Sequence, residues 1–262
     1  VRSLRLPEWD TVIRFHDLPG TEPAVVFLHG LGGASSSDAV AVAACTPLAS
    51  HRRLLVDLLG FGFSDRPAGC AYRLEDHACS VAAVIEAAGL SGCWVVGHSM
   101  GGTVAIVLAG LRPDLVSALV AAEGNLDPGV GTVSAEIARW DEQQYVAGGH
   151  AAIISRLREN AEDPGMQTYL GTLGMADPLA VHRSAVGLLA YIDPTARERL
   201  YRFTGPKAFV FGERSLPDVD QDRLAAAGVE VMVVPGAGHA MLVEAPGEFA
   251  RLVGGFLEGS LP

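Results

Sequence analysis

The chain has 262 residues, 49% of them hydrophobic, enough to bury the core of one catalytic domain with or without an inserted subdomain. With 19 Lys and Arg against 30 Asp and Glu, the formal net charge of −11 opposes polyanions, and nucleic acid is excluded as an expected partner. No apolar run reaches the roughly 18 residues of a membrane span, and the N-terminus lacks the basic-then-apolar pattern of a secretory leader, so the expectation is a cytoplasmic protein with no membrane partner.

In chain order, residues 12–17 read as an antiparallel edge strand, and 24–29 (A-V-V-F-L-H) and 53–57 (R-L-L-V-D) as short buried strands. Helical spacing over 74–88 precedes a strand at 93–98 (C-W-V-V-G-H), a helix at 102–111 and a strand at 116–122. Strands follow again at 207–212 and 230–234, with a final helix at 246–257. Strands alternating with helices predict an α/β fold, a doubly wound, mostly parallel sheet covered on both faces. Between 126 and 202 the alternation stops: 134–146, 151–160 and 178–192 look helical and no buried strand is evident. The simplest division is a core of 1–125 and 203–262 with a helical cap at 126–202, hinged near Asp127-Pro128-Gly129 and Thr204-Gly205-Pro206.

The four cysteines, Cys45, Cys70, Cys79 and Cys93, show neither C-x-x-C spacing nor the density of a disulfide scaffold, and read as reduced thiols with Cys93 in the core. No clustered His/Cys spacing suggests a metal site, and none is expected.

The segment Gly97-His98-Ser99-Met100-Gly101-Gly102 carries a G-x-S-x-G pattern between an apolar strand and an apolar helix. The bare pattern is common. Its setting is what makes it specific, because a strand–turn–helix junction holds the serine exposed on a sharp turn, where side chains at 97 and 101 would collide. Ser99 is therefore the candidate nucleophile.

Acyl transfer places negative charge on the former carbonyl oxygen, which two backbone N–H groups can stabilise. Met100 N–H, next after the nucleophile, supplies one, and the turn His29-Gly30-Leu31-Gly32-Gly33 offers Leu31 N–H as the second. His29 itself reads as a hydrogen-bonding loop residue. On Pro235-Gly236-Ala237-Gly238-His239, after the last strand, His239 can reach across the sheet ends to a nucleophile on a central strand and is the candidate general base.

Together with Asp57-Leu58-Leu59-Gly60-Phe61-Gly62-Phe63-Ser64 and the Glu244/Pro246 pair, these segments resemble the α/β-hydrolase superfamily from about Pro23 to Leu257. The resemblance implies a structural role for Asp57 and Ser64, which pin a turn. A serine at 99, where dehalogenases and epoxide hydrolases of the superfamily carry Asp, favours acyl transfer. Superfamily members often carry the catalytic Asp three residues after the Gly that closes the strand following the cap, but here that position is Ser215. Asp218, Asp220 and Glu213 lie nearby. Another branch, including some dehalogenases and zearalenone-type lactonases, carries its acid after the strand preceding the cap; Glu123 fits that pattern and keeps the order Ser, acid, His. Glu123 is the expected acid, with Asp218 as the alternative.

These positions imply a serine hydrolase that cleaves a carboxylic ester or lactone through an acyl-enzyme, needing no cofactor. Trp140, Tyr145, Tyr169 and Leu188 are candidate pocket residues for a small apolar ester or lactone, although such spacing also suits the cap's own core. C–C bond hydrolysis and thioester cleavage use the same parts, and a non-catalytic small-molecule binder could retain the fold. An acyl-CoA calls for a basic cluster, yet Arg139, Arg156, Arg158 and Arg183 are balanced by Glu136, Asp141, Glu142, Glu159 and Glu162.

Overall fold

The computed structural model describes residues 1–159 and 161–259. Eight strands, β1 (Arg2–Leu6), β2 (Thr11–Leu18), β3 (Thr21–Leu28), β4 (His51–Asp57), β5 (Cys93–His98), β6 (Val116–Ala122), β7 (Lys207–Gly212) and β8 (Glu230–Val234), form one sheet in the order β1-β2-β4-β3-β5-β6-β7-β8. β1 and β2 are antiparallel to their neighbours, and every pairing from β4 to β8 is parallel. The parallel strands read as continuous apolar runs because helices bury both of their faces. One apolar layer lies beneath helices Leu74–Ala87 and Met100–Leu111, the other beneath Val40–Ala43 and Pro246–Leu257. Cys93 is buried in the first layer, and all four cysteines are free.

β1 has no counterpart in the sequence expectations, because R-S-L-R-L buries only Leu6 and is too short and too charged to show a period. β2 extends past the expected run at both ends, through Thr11 and Leu18, and β3 begins earlier, at Thr21-Glu22-Pro23, and ends at Leu28, before His29.

The order of the strands reverses between β3 and β5, which is where an open α/β sheet leaves a crevice at its carboxyl ends. Register makes those ends level: Leu28 pairs with Gly97, Ala122 with His98 and with Val210. The residues that follow, 29–33, 99, 123 and 213–215, therefore emerge at one rim.

Among the described residues between β6 and β7 there are helices, turns and irregular segments and no strand, the helices including Val133–Ala138, His150–Arg158, Pro164–Met175, Pro178–Leu189 and Ala196–Arg202. The helix expected at 151–160 runs over His150–Arg158; position 160, and positions 260–262 at the end of the core expectation, lie outside the described residues. Helix Pro164–Met175 goes unmarked by periodicity, since Gly165, Gly171 and Gly174 weaken its helical signal. Its start is nevertheless written locally. Asp163 accepts the Met166 N–H at 2.9 Å and Pro164 occupies the first helical turn, an arrangement repeated where Asp177 accepts the Ala180 N–H at 3.1 Å ahead of Pro178. This helix packs beside the short helices Ser35–Asp38 and Met241–Glu244. The approach is close: a Cβ on Gly165 would lie 2.6 Å from Ala240 Cβ.

Among the described residues no helix is long and apolar enough to cross a membrane, and no group of three or more His, Cys, Asp or Glu is placed to hold a metal ion.

Candidate active site

Ser99 stands between β5 and helix Met100–Leu111 with φ 53° and ψ −124°, a backbone conformation that L residues rarely adopt. The neighbouring glycines make the turn possible. A Cβ on Gly97 would meet Gly101 O at 2.1 Å, and one on Gly101 would meet Leu28 O at 2.3 Å. The turn is held by Ser99 N–H donating to Ala122 O at 2.8 Å and by Gly102 N–H donating to Ser99 O at 2.8 Å. Met100 opens the helix, so its N–H belongs to the first turn, where donors have no intrahelical partner.

The 29–33 turn runs alongside. A Cβ on Gly30 would lie 3.1 Å from Ser99 Cβ, so Leu31 follows a backbone already in contact with the serine. The buried His29 ring fixes this turn: its Nδ1–H donates to Gly30 O at 2.8 Å and its Nε2 accepts the Leu58 N–H at 3.0 Å. Burial lowers the pKa of His29, against the nearby charge of Asp57. Asp57 accepts Ser36 N–H at 2.9 Å and Phe63 N–H at 3.0 Å, tying the two loops together, while Ser64 Oγ donates to Asp57 O at 2.5 Å.

His239 Nδ1 lies 2.5 Å from Glu123 Oε2, and the other carboxylate oxygen accepts Gly212 N–H at 2.8 Å. Glu123 follows β6 with φ 45°, which turns its side chain back over the rim. Burial works to raise its pKa, but the hydrogen bonds from His239 and Gly212 N–H, the attraction of the imidazole and the Ser215 side chain outweigh it, and the carboxyl is held below the usual range. Since Nδ1–H donates to the carboxylate, Nε2 is the basic nitrogen.

Asp218 also lines the cavity, but its Oδ1 accepts Asp220 N–H at 2.8 Å, and Glu213 Oε2 accepts Gly236 N–H at 2.7 Å. Neither is bonded to the His239 ring. Asp220 pairs with Arg197 at 2.8 Å.

Ser99, Glu123 and His239 face a cavity of about 620 Å³ whose wall also includes Leu31, Tyr169 and Leu188. Two expected pocket residues are not in that wall. Tyr145 is fully buried within the helical insertion, its hydroxyl donating to His150 Nδ1 at 2.9 Å. Trp140 packs against the Gly149 backbone, where a Cβ would lie 2.9 Å from its ring. Both follow helical spacing because they hold the insertion together, and spacing does not tell an inward core face from a pocket face.

Sequence reasoning leaves three groups unassigned. His98 Nε2–H donates to His239 O at 2.7 Å, tying the elbow to the His239 loop. Burial first, and then the neighbouring His239 ring, push the His98 pKa down to about 3, so it stays neutral beside the candidate base. Arg214 donates to Glu244 at 2.8 Å and to Gly236 O, and Glu244 accepts Gly238 N–H at 2.6 Å, bracing the same loop. Asp38 lines the cavity, its pKa pushed up to about 6 by burial and by the charge of Asp57 against the Ala34 N–H and the Ser37 hydroxyl. A histidine inside G-x-S-x-G and a Glu before Pro were visible as motif letters, whereas Asp38 carries no sequence signal.

A family model described as alpha/beta hydrolase fold matches residues 23–160. The chain is similar to the sn-1-specific diacylglycerol lipase ABHD11 of Mus musculus, 27% identical over 256 residues that cover 92% of this chain and 83% of the relative. It is similar also to the 2-(acetamidomethylene)succinate hydrolase of Mesorhizobium japonicum, 29% identical over 238 residues covering 84% and 82%. Among solved structures, a thermophilic esterase from Thermogutta terrifontis superposes with a TM-score of 0.84 at 20% identity, covering 99% of each chain.

Proposed function

Given that the chain belongs to the alpha/beta hydrolase family, we propose that it is a serine hydrolase cleaving a neutral carboxylic ester or lactone, with Ser99 as nucleophile, His239 as general base and Glu123 as the acid that orients the base. The observation that carries this reading is the 2.5 Å contact between His239 Nδ1 and Glu123 in the cavity that also receives the strained Ser99. Ser99 Oγ attacks the carbonyl carbon while His239 Nε2 takes its proton; the imidazolium, stabilised by Glu123, then protonates the departing alkoxide. Leu31 N–H and Met100 N–H receive the oxyanion. Water, deprotonated by the same imidazole, releases the acid from Ser99. Residues 126–202 act as a cap closing the site over a core of 1–125 and 203–262.

Neutrality of the substrate is argued from the wall. Asp38, Asp163 and Asp218 line the cavity without a cationic partner among the described residues, while the lining guanidinium, Arg214, is bonded to Glu244. A substrate carboxylate would be repelled by these groups without a free cation to receive it. This favours the esterase and lipase relatives over the hydrolase of a substituted succinate as guides to substrate.

The test is hydrolysis of p-nitrophenyl esters by wild type and Ser99→Ala, with fluorophosphonate labelling of both. Wild type turns over and labels; Ser99→Ala loses at least about 10³-fold in kcat, does not label and keeps its thermal unfolding temperature. Near-wild-type turnover by a folded Ser99→Ala protein overturns the nucleophile, and an inert, unlabelled wild type makes the fold a binding scaffold.

A further inference from the structure

One polar pair in the cavity wall has no part in the chemistry above. Asp38, at the end of the short helix Ser35–Asp38, and Tyr169, on helix Pro164–Met175, line the cavity against consecutive glycines of the 29–33 turn. A Cβ on Gly32 would lie 3.4 Å from Tyr169 Oη, and one on Gly33 would lie 2.4 Å from Asp38 Oδ2. Asp38 Oδ2 accepts a long bond, 3.3 Å, from Ala34 N–H, and the Ser37 hydroxyl also favours the ionised carboxyl, whereas Oδ1 is buried with no hydrogen-bond partner among the described residues. The Tyr169 phenol is governed by burial and by the charge of Asp38, both of which oppose its ionisation, so it remains a donor. Around the pair the surface is apolar: Leu173 Cδ1 would lie 2.6 Å from a Cβ on Gly32, and Leu31 and Met166 share the wall.

A buried carboxylate oxygen without a donor is costly, and a nearby phenol whose proton has no acceptor among the described residues offers the complementary half of a binding site. Asp38 lines the cavity, and the broad torsion about its Cβ–Cγ bond lets the carboxyl turn an oxygen toward an entering group. We propose that Asp38 and Tyr169 form a subsite for a hydroxyl group, so that the substrate of this cavity is a hydroxylated neutral ester. The hydroxyl donates to Asp38 and accepts from Tyr169, using both; a carboxylate is repelled by Asp38, and an ammonium leaves the phenol proton without an acceptor. The inference rests on the ester-hydrolase reading and adds the substrate's second functional group to it.

The experiment compares matched pairs that differ by one hydroxyl, read as ratios of kcat/KM. For the acyl half the pair is p-nitrophenyl 3-hydroxybutyrate and p-nitrophenyl butyrate; for the alcohol half it is 2-hydroxyethyl and ethyl butyrate, with 2-aminoethyl butyrate as the ammonium control. Wild type is expected to favour the hydroxylated member of one pair by about tenfold or more, the scale of one hydrogen bond to a charged group. In Asp38→Leu that ratio falls to about one, in Tyr169→Phe it falls part of the way, and Asp38→Asn, the conservative variant that guards against misfolding, keeps an intermediate ratio. A wild-type ratio near one in both pairs, with the plain esters turned over, overturns the subsite while leaving the parent reading standing. A preference that survives both Asp38→Leu and Tyr169→Phe, or a stronger preference for the aminoethyl ester, also overturns it. Turnover of neither member of either pair overturns the parent reading and the subsite together.

Discussion

Glu123 and Asp38 present carboxyl groups to the same cavity, one from the end of β6 and one from the segment after β3, and their surroundings push them in opposite directions. On the strand-end wall Glu123 receives Gly212 N–H and His239 Nδ1, and its pKa is lowered despite burial. On the wall shared by the 29–33 turn and the helical insertion, burial and the charge of Asp57 outweigh the long bond from Ala34 N–H and the Ser37 hydroxyl, and the pKa of Asp38 rises to about 6. Burial opposes the charge of both carboxylates; the donors directed at Glu123 outweigh it, and those at Asp38 do not. The strand-end wall has committed its polar atoms in advance; the other leaves Asp38 Oδ1 without a hydrogen-bond partner among the described residues.

This asymmetry is undone most severely at Glu123. Glu123→Gln keeps the volume but turns a donor toward His239 Nδ1–H and favours the wrong tautomer. Replacing the triad carboxylate of a serine protease by its amide lowers kcat by roughly 10⁴, and a fall of that order is expected here, against a change of less than about tenfold for Asp218→Asn at similar folded stability. Steady-state kinetics on both variants checks it, and a crippled Asp218→Asn beside a mild Glu123→Gln reverses the assignment.

Two glycines restate the contrast in packing terms. Gly101→Ala drives a methyl group into Leu28 O and His29 O, at 2.3 and 2.5 Å, where only backbone can yield, and a loss of about 1–3 kcal/mol is expected in denaturant unfolding, together with most of the activity. Gly174→Ala, on the insertion helix, meets nothing within 4 Å and is expected to gain about 0.5–1 kcal/mol.

The last effect is a pH dependence. Because the folded protein holds the Asp38 proton more tightly than the ordinary value of 3.8, the stability this group contributes is fully present below about pH 4 and is lost as pH rises through about 6. Asp38→Asn escapes that loss. The unfolding temperature of the variant minus that of wild type should therefore grow between pH 4 and 6 and level off above; a difference independent of pH would mean that Asp38 is not the titrating group.

Legibility in the sequence follows the same division. Gly97, Ser99 and Gly101 can be read because a backbone turn that excludes side chains leaves its mark in the residues themselves, and the parallel strands because burial on both faces leaves unbroken apolar runs. Glu123 is visible only as a carboxylate after a strand, with Asp218 a competitor until distances separate them. Tyr145 and Tyr169 carry the same letter at helical spacing, yet one is sealed inside the insertion and the other faces the cavity, since which face turns inward depends on how the helices pack onto the core. Asp38 looks like any surface acid until Gly33, Asp57 and the insertion close around it. β1 is hidden by its exposed arginines.

The contact between Gly165 and Ala240 bears on how such enzymes exchange parts. Gly165 belongs to the insertion and Ala240 to the His239 loop, and there is no room between them for one more methyl group. An insertion transplanted from a relative to alter substrate range would seat in register only if it brought a glycine to that position. With any larger residue there, the donor segment would displace the histidine loop, and a graft intended to change selectivity would be scored as inactive. Positions 165 and 240 are therefore the first to match when designing a chimera.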